Sequence, residues 1–291
     1  MDTIVIYAQF LEKHENVLTY GIRLAQHLKK RIKMVHVIDT RNMDFYRGFS
    51  DPDGTLASAS SYELMEEQKK VAQKFFNNLK ADLEKQFNLN SEIEIRLEIG
   101  NTEMILSEEA KNKNTYMFLL PHGMEGEVRY LINDNSYYIE DARCPVMIVP
   151  EGAKFEHVNN IIYATDYQKQ DIESIKILGD LAEHFRSKVT ALHVVEDEKK
   201  FEDSLENKGF KSLLENEVKY KSIKFASVEG NDDVARIIIN YAGSNEGDII
   251  TLLKENRGFW ERLFHPSVSK EVINESKLPV IIFNEEMFIS S

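Results

Sequence analysis

The sequence has one cysteine, one tryptophan and six prolines in 291 residues, and no long apolar run. Each shortage excludes a class of protein. The lone Cys144 cannot close an intrachain disulfide. It lies in an apolar, strand-like stretch, which marks a buried structural thiol, since reactivity needs an exposed, electropositive setting. No stretch approaches the roughly 20 apolar residues that cross a bilayer. The opening MDTIVIYAQF shows neither a basic segment nor a small-residue cleavage site, so a cytoplasmic protein is expected. A basic excess is missing too, with 36 Lys and Arg against 49 Asp and Glu, a net charge of −13. Residues 1–150 carry 18 basic and 23 acidic side chains (−5), and residues 151–291 carry 18 and 26 (−8). Neither half offers the cationic footprint that nucleic acid or an anionic membrane requires, and neither partner is expected.

Catalytic signatures are also missing. There is no G-x-x-x-x-G-K-(S/T), no G-x-G-x-x-G opening a helix and no H-E-x-x-H. No Cys/His zinc spacing occurs, and no G-x-S-x-G. We expect neither a catalytic residue nor a metal site, and so no enzyme.

What is present is alternation. Ile4–Ala8 is a continuous apolar run of the kind found in strands covered on both faces. From Asn16 to Leu28 the apolar residues follow helical spacing, and Ile32–Ile38 reads as a second strand. A polar loop over Arg41–Ser61 precedes a long helix from Tyr62 to about Phe87. Strand Ile93–Ile99, helix Glu103–Lys111, strand Tyr116–Leu120, helix Tyr130–Ala142 and strand Val146–Val149 complete the set. Strand and helix in alternation predict a parallel, doubly wound α/β sheet with right-handed crossovers.

The order then repeats. Thr3–Phe10 (TIVIYAQF) aligns with Asn160–Tyr167 (NIIYATDY) at an offset of 157. The same offset carries Leu24-Ala25-Gln26-His27 onto Leu181-Ala182-Glu183-His184, and His36-Val37-Ile38-Asp39 onto His193-Val194-Val195-Glu196. Gly100-Asn101 then matches Gly230-Asn231, and Pro145-Val146 matches Pro279-Val280, by which point the offset is 134. The second copy has therefore lost about 23 residues (157 − 134), placed around the long loop and its helix. Pro150–Lys154 fits a linker. Two domains are expected, 1–150 and 155–291.

The pieces TDYQKQDIESI, VTALHVVED and KLPVIIF of the second copy, with MVHVID and RCPVMIV of the first, resemble the universal stress protein family in order and spacing, twice over. The resemblance covers essentially the whole chain. It implies two Rossmann-like domains of the adenine-nucleotide alpha hydrolase-like type, in tandem and related by a pseudo-two-fold. It also implies that the last strands, Val146–Val149 and Val280–Phe283, pair within the chain. An open apolar edge would invite aggregation, an independent reason to expect that pairing. A homodimer beyond it is compatible with the family.

Nucleotide-binding members of the family carry G-x2-G-x9-G-(S/T) after the fourth strand, holding ATP or AMP. Glycines let backbone N–H groups approach phosphate, and the Ser or Thr opens a helix whose N-terminus favours an anion. The second copy reads Leu253-x2-Asn256-x9-Pro266-Ser267, with every glycine replaced and only Ser267 kept. Leu253 is expected to project into the phosphate space, and Pro266 has no N–H to offer. Asp166 matches the family's acidic strand-end residue. In the first copy that position is Gln9, and the turn reads either Leu120-x2-Gly123-x9-Asn133-Asp134 or, three residues on, Gly123-x2-Gly126-x9-Ser136-Tyr137. Neither copy is complete. The candidate site residues are Asp166, Asn256, Ser267, Gly123 and Gly126, and all but Asn256 have a structural alternative. Asp166 fits a ribose or metal-bridged phosphate contact and equally a helix N-cap. Ser267 fits phosphate contact or a cap, and the glycines fit an anion nest or a turn with positive φ. The implied function is a stress-associated, non-enzymatic binding protein with degenerate nucleotide turns. The alternative is an ATP- or AMP-binding member with one surviving site. The protein partner is not identified by the sequence.

Overall fold

The computed structural model describes residues 2–8, 15–39, 61–90, 92–122, 142–202, 204–230, 233–254 and 266–289. The first half contains β1 (Thr3–Tyr7), α1 (Glu15–Leu28), β2 (Arg31–Asp39), α2 (Ser61–Gln86), β3 (Glu94–Gly100), α3 (Thr102–Lys111), β4 (Thr115–Pro121) and β5 (Val146–Val149). The second contains β6 (Asn160–Ala164), α4 (Lys169–Phe185), β7 (Lys188–Val195), α5 (Glu198–Glu202) and α6 (Leu205–Glu217). It continues with β8 (Ile223–Glu229), α7 (Val234–Ser244), β9 (Ile249–Lys254), α8 (Pro266–Glu275), β10 (Val280–Asn284) and α9 (Glu286–Ile289). The expected strands and helices stand within a residue or two of their predicted ends. The helix expected over 130–142 lies outside the described residues except Ala142, which is not helical, and the 41–61 loop lies outside them except Ser61. The shortening of the second copy falls where the repeat predicts it, with α5 and the 13-residue α6 in place of the 26-residue α2.

All ten strands join one sheet in the order β3-β2-β1-β4-β5-β10-β9-β6-β7-β8. Within each half the pairing is parallel. The central strands are buried along almost their whole length, as continuous apolar runs require when helices cover both faces. Two apolar clusters form the core, and each crosses from one half to the other. One face collects Ile4, Ile6 and Met34 with Ile161, Tyr163 and Ile281. The other collects Val5, Val35 and Phe118 with Ile162, Leu192 and Ile282.

The halves meet where β5 and β10 run antiparallel. The register is Val280↔Ile148, Ile281↔Met147 and Ile282↔Val146. At the repeat offset of 134, Met147 is the equivalent of Ile281, so the central pair joins a residue to its own counterpart. Only residues on a two-fold axis do this. A second self-equivalent contact stands beside it, where His27 Nε2 lies 3.2 Å from the carbonyl oxygen of His184. There Phe155, from the segment joining the halves, packs against Tyr20, His27 and Phe185.

The sheet's first edge is guarded by charge. On β3, Glu94, Arg96 and Glu98 alternate with Ile95, Leu97 and Ile99. Arg96 reaches Glu98, Glu108 and Glu109 at 3.0, 3.1 and 2.6 Å, and Lys33 reaches Glu109 at 2.8 Å. Glu109 is fully buried, so two cations meeting it offset the desolvation of its carboxylate and tie α3 to β2 and β3. Such an edge resists pairing with another chain.

Because both cores cross the seam, urea unfolding of the whole chain is expected to be one cooperative transition. Ile281→Ala, which empties a fully buried site on the axis, is expected to lower the unfolding free energy by about 2–5 kcal/mol while keeping a single transition. Two separable transitions in the wild type would show that the halves fold independently.

Candidate functional site

In an open parallel sheet a ligand crevice forms outside the carboxyl ends of the strands, where the strand order reverses. In the second half that point lies between β6 and β9. The chain leaves β6 as Thr165-Asp166-Tyr167-Gln168 and enters α4 at Lys169. Tyr163 and Thr165 share one side of the strand by its period of two, and both donate to Asp171 in the first turn of α4. Tyr163 Oη lies 2.5 Å from Asp171 Oδ1, and Thr165 Oγ1 lies 2.7 Å from Oδ2. The Gln168 N–H donates to the same Oδ2 at 3.0 Å, which satisfies a backbone donor at the helix start.

Asp166 does not cap the helix. Gln168 occupies the cap position and Asp171 accepts its N–H, so the capping alternative for Asp166 is corrected. Asp166 stands half-buried in the same turn. Burial, and next the negative Asp171, push the Asp166 carboxyl up to about 7. Burial also raises Asp171, opposed by the donors from Tyr163 and Thr165. The Tyr163 hydroxyl is driven well above its ordinary range, by burial first and then by Asp171.

Tyr167 completes the turn with φ of 67°, a left-handed backbone rare for a bulky side chain. Its N–H donates to Thr165 Oγ1 at 3.0 Å. Its ring stacks on His193 (centroids 4.7 Å, 21° between planes) and on Phe210 (4.3 Å, 7°), with Phe201 at 5.2 Å. Leu253 is buried in the same apolar cluster. The expectation that Leu253 projects into a phosphate space is therefore corrected: it is a core residue of β9.

The first half shares the histidine of this arrangement. His36 Nδ1 lies 2.8 Å from the Ala8 carbonyl oxygen, and His193 Nδ1 lies 2.6 Å from that of Thr165, a pairing repeated at the offset of 157. Phe76 approaches His36 at 4.6 Å. Burial depresses the His36 pKa to about 4, against the raising effect of the Ala8 carbonyl, so its ring is neutral at pH 7. β4 runs to Pro121, and the His122 N–H still bonds the Val149 carbonyl at 2.9 Å.

Of the predicted site residues, Asp166 stands at the crevice. Ser267 lies in the first turn of α8, after Pro266 at its first position, where a fixed φ and missing N–H suit the helix start. That placement corrects the reading of Ser267 as the cap. Its side chain, and Asn256, Gly123 and Gly126 entirely, lie outside the described residues. The structure adds Tyr163, Thr165, Tyr167 and Asp171, which sequence reasoning passed over. A signal was present: the first copy has Ile6 and Ala8 where the second has Tyr163 and Thr165. Among the described residues no three His, Cys, Asp or Glu side chains group so as to hold a metal ion. Cys144 is buried, and burial pushes its thiol up to about 12, which makes it inert.

The buried neutral His36 sets an acid limit on stability. Its pKa in the fold is below the unfolded value, so the unfolded chain takes up the proton first as pH falls. The contribution is present above about pH 6.5 and is lost as pH falls through about 4, at most about 3 kcal/mol. In urea unfolding at pH 7 and pH 4.5, His36→Gln is expected to lose less stability on acidification than the wild type. An equal loss would show that His36 is not responsible.

No curated protein matches the sequence. A solved universal stress protein from Archaeoglobus fulgidus DSM 4304 is 14% identical, covers 97% of this chain and 98% of its own, and superposes with a TM-score of 0.70. A putative universal stress protein from Pseudomonas aeruginosa UCBPP-PA14 is 11% identical over 98% of this chain and 93% of its own, with a TM-score of 0.58. At these identities the likeness shows the fold. A universal stress protein from Archaeoglobus fulgidus in complex with dAMP, 16% identical, aligns with 43% of this chain and 96% of its own, with a TM-score of 0.34. The model of the universal stress protein family matches residues 1–150 and again 157–284. One domain thus accounts for nearly the whole sequence twice, and the chain belongs to the universal stress protein family as a tandem member.

Proposed function

We propose that this protein is a non-enzymatic, cytoplasmic binding protein of the stress response whose second domain, residues 155–291, no longer holds a nucleotide. The observation that carries this reading is Tyr167. Its ring lies flat against His193 and Phe210 at the carboxyl end of β6, where an open sheet would receive a planar ligand. A nucleotide would have to displace an aromatic stack already made by the chain itself, at the cost of those contacts. The Asn256 and Pro266 substitutions in the turn point the same way. The domains then serve as a pseudo-symmetric pair that acts by binding a protein partner, with homodimerisation of the whole chain as a further level of assembly.

A second reading keeps ATP or AMP in the first domain, residues 1–150. The observation that favours it is Gln68 on α2. Gln68 is 3% exposed, and neither its amide nitrogen nor its amide oxygen has a hydrogen-bond partner among the described residues. A buried amide with both functions unmet costs about 1–3 kcal/mol. The Ile93 N–H bonds Glu84 near the end of α2, so that helix runs back from the carboxyl end of the sheet. Gln68 precedes Phe76 by about 12 Å of helix, which places it beyond His36 towards that end. A base edge carrying a donor beside an acceptor would satisfy it.

Titration calorimetry with ATP and AMP, with and without Mg²⁺, separates the two. The first reading expects no heat at millimolar nucleotide. Micromolar binding lost in Gly123→Val and Gln68→Leu, but retained in Asp166→Ala, would assign a surviving site to the first domain. Binding lost in Asp166→Ala would overturn the closed second site.

A further inference from the structure

The two outer strands of the sheet stand at equivalent places in the repeat and are finished differently. β3 pairs with β2 in the register Val35↔Arg96, and β8 pairs with β7 in the register Leu192↔Ala226. Val35 and Leu192 are equivalents at the offset of 157, so Arg96 corresponds to Ala226 and Glu98 to Val228. The helices that follow open on the caps Asn101 and Asp233, each accepting from the N–H three residues on. Glu109 of α3 therefore corresponds to Tyr241 of α7, and Lys33 of β2 to Thr190 of β7. The ion network that guards β3 is answered at β8 by Thr190, Ala226, Val228 and Tyr241, none of them charged.

The outer backbone of β8 is open as well. The Ser222 carbonyl accepts from the Val189 N–H at 2.9 Å, and the Gly230 N–H donates to the Val195 carbonyl at 2.8 Å, so the even-numbered residues of β8 face β7. By the alternation of a strand, Ile223, Phe225, Ser227 and Glu229 turn their N–H and C=O groups outwards. No described residue pairs with them there. On one flank Ala226, Val228, Ile237 and Tyr241 are left half-buried.

We propose that β8 is the self-association edge of this protein: two copies pair antiparallel along residues 221–229, about a two-fold through Phe225, and join their sheets. The occupant is a second copy because the edge is complementary to itself in this sense alone. Exposed Lys221 stands at its start and exposed Glu229 at its end. Antiparallel pairing about Phe225 sets Lys221 against Glu229 of the second copy at both ends, whereas parallel pairing would set like charges together. The same register opposes Ile223 to Ser227, so outward backbone groups meet only outward ones, as hydrogen-bonded pairs require. Lys221 Nζ donates to the Glu215 and Val218 carbonyls at 3.0 and 3.1 Å, which holds it beside the edge and leaves one of its three donors for the carboxylate. Closure by a two-fold uses the open edge in both copies and leaves only the guarded β3 edges at the ends of the joined sheet. The seam of β5 with β10 already pairs equivalent strands in this antiparallel way. The proposal gives the homodimer of the proposed function its surface and does not depend on whether a nucleotide binds.

Sedimentation of the full chain over the micromolar to submillimolar range tests it. The wild type is expected to show a monomer–dimer equilibrium. Lys221→Glu and Glu229→Lys each create two like-charged pairs in the dimer, and each is expected to weaken it roughly tenfold. The two changes together restore opposite charges and are expected to restore the dimer. Ala226→Arg with Val228→Glu copies the guard of β3 and sets Arg against Lys224 of the second copy, so a monomer is expected. Far-UV circular dichroism and the thermal midpoint verify that each variant is folded. A wild type that stays monomeric would overturn the proposal, as would a dimer indifferent to these variants or one in which the double reversal does no better than the single changes. None of these results bears on nucleotide binding, which calorimetry reads separately.

Discussion

The antiparallel pairing of β5 with β10 is the constraint on which the molecule depends. Without it each half would end in an apolar edge strand of four or five residues, a template for association with any other chain. With it, ten strands become one sheet and two cores become continuous across the seam. The centring of the pairing on Met147 and Ile281 makes the halves related by a near two-fold, although one chain contains both. The contact between His27 and His184 and the Phe155 ring packed beside it place the same axis on the helical layer. Loss of residues from the second copy did not disturb this, because the deletion lies around α6 on the far side of that domain, next to the outer strand β8.

That symmetry leaves the two crevices free to diverge. An antiparallel seam sends the carboxyl ends of β1–β5 and of β6–β10 in opposite directions, so the two sites open at opposite ends of the sheet and no small ligand can bridge them. Each histidine keeps its bond to a strand-end carbonyl, which is a requirement of the scaffold. What packs on the histidine differs between the halves of this chain: Tyr167 and Phe201 against His193, Phe76 against His36. A buried carboxylate such as Asp171 is costly unless fully satisfied. Its three donors, the Tyr163 and Thr165 hydroxyls and the Gln168 N–H, are therefore part of one unit with it.

The fold was open to reading because its determinants are periodic. Apolar runs of four to eight residues and helical stripes recur in an order that the duplication states twice, and each copy corrects errors in the other. Even the seam could be foreseen, since Val146–Val149 and Val280–Phe283 are apolar edges that need covering. The site was less legible. Leu253 read as an obstruction because it aligns with a glycine, yet a residue at the end of a strand also has a core face, and the core took it. Asp166 read as a cap because it precedes a helix, but Asp171 lies in the first turn of α4, where it can reach back to Gln168 N, and a local pattern cannot say which of two acids does so. Tyr167 gave no signal, because left-handed backbone at a tyrosine comes from tertiary contacts with His193 and Phe210, 26 and 43 residues away in the chain.

The same reasoning bears on why the second site is closed by a tyrosine and not by an aliphatic side chain. A leucine at 167 would fill volume equally well, but nothing would then hold its backbone at positive φ against the usual steric penalty. The tyrosine ring gains stacking on two faces, and its N–H gains the Thr165 hydroxyl, so the strain is offset from both ends of the residue. Thr165 in turn is oriented by Asp171, to which it donates. Aromatic closure and the buried Asp171 are thus mechanically one arrangement: the hydroxyl that supports the strained amide is the hydroxyl that donates to the buried carboxyl group.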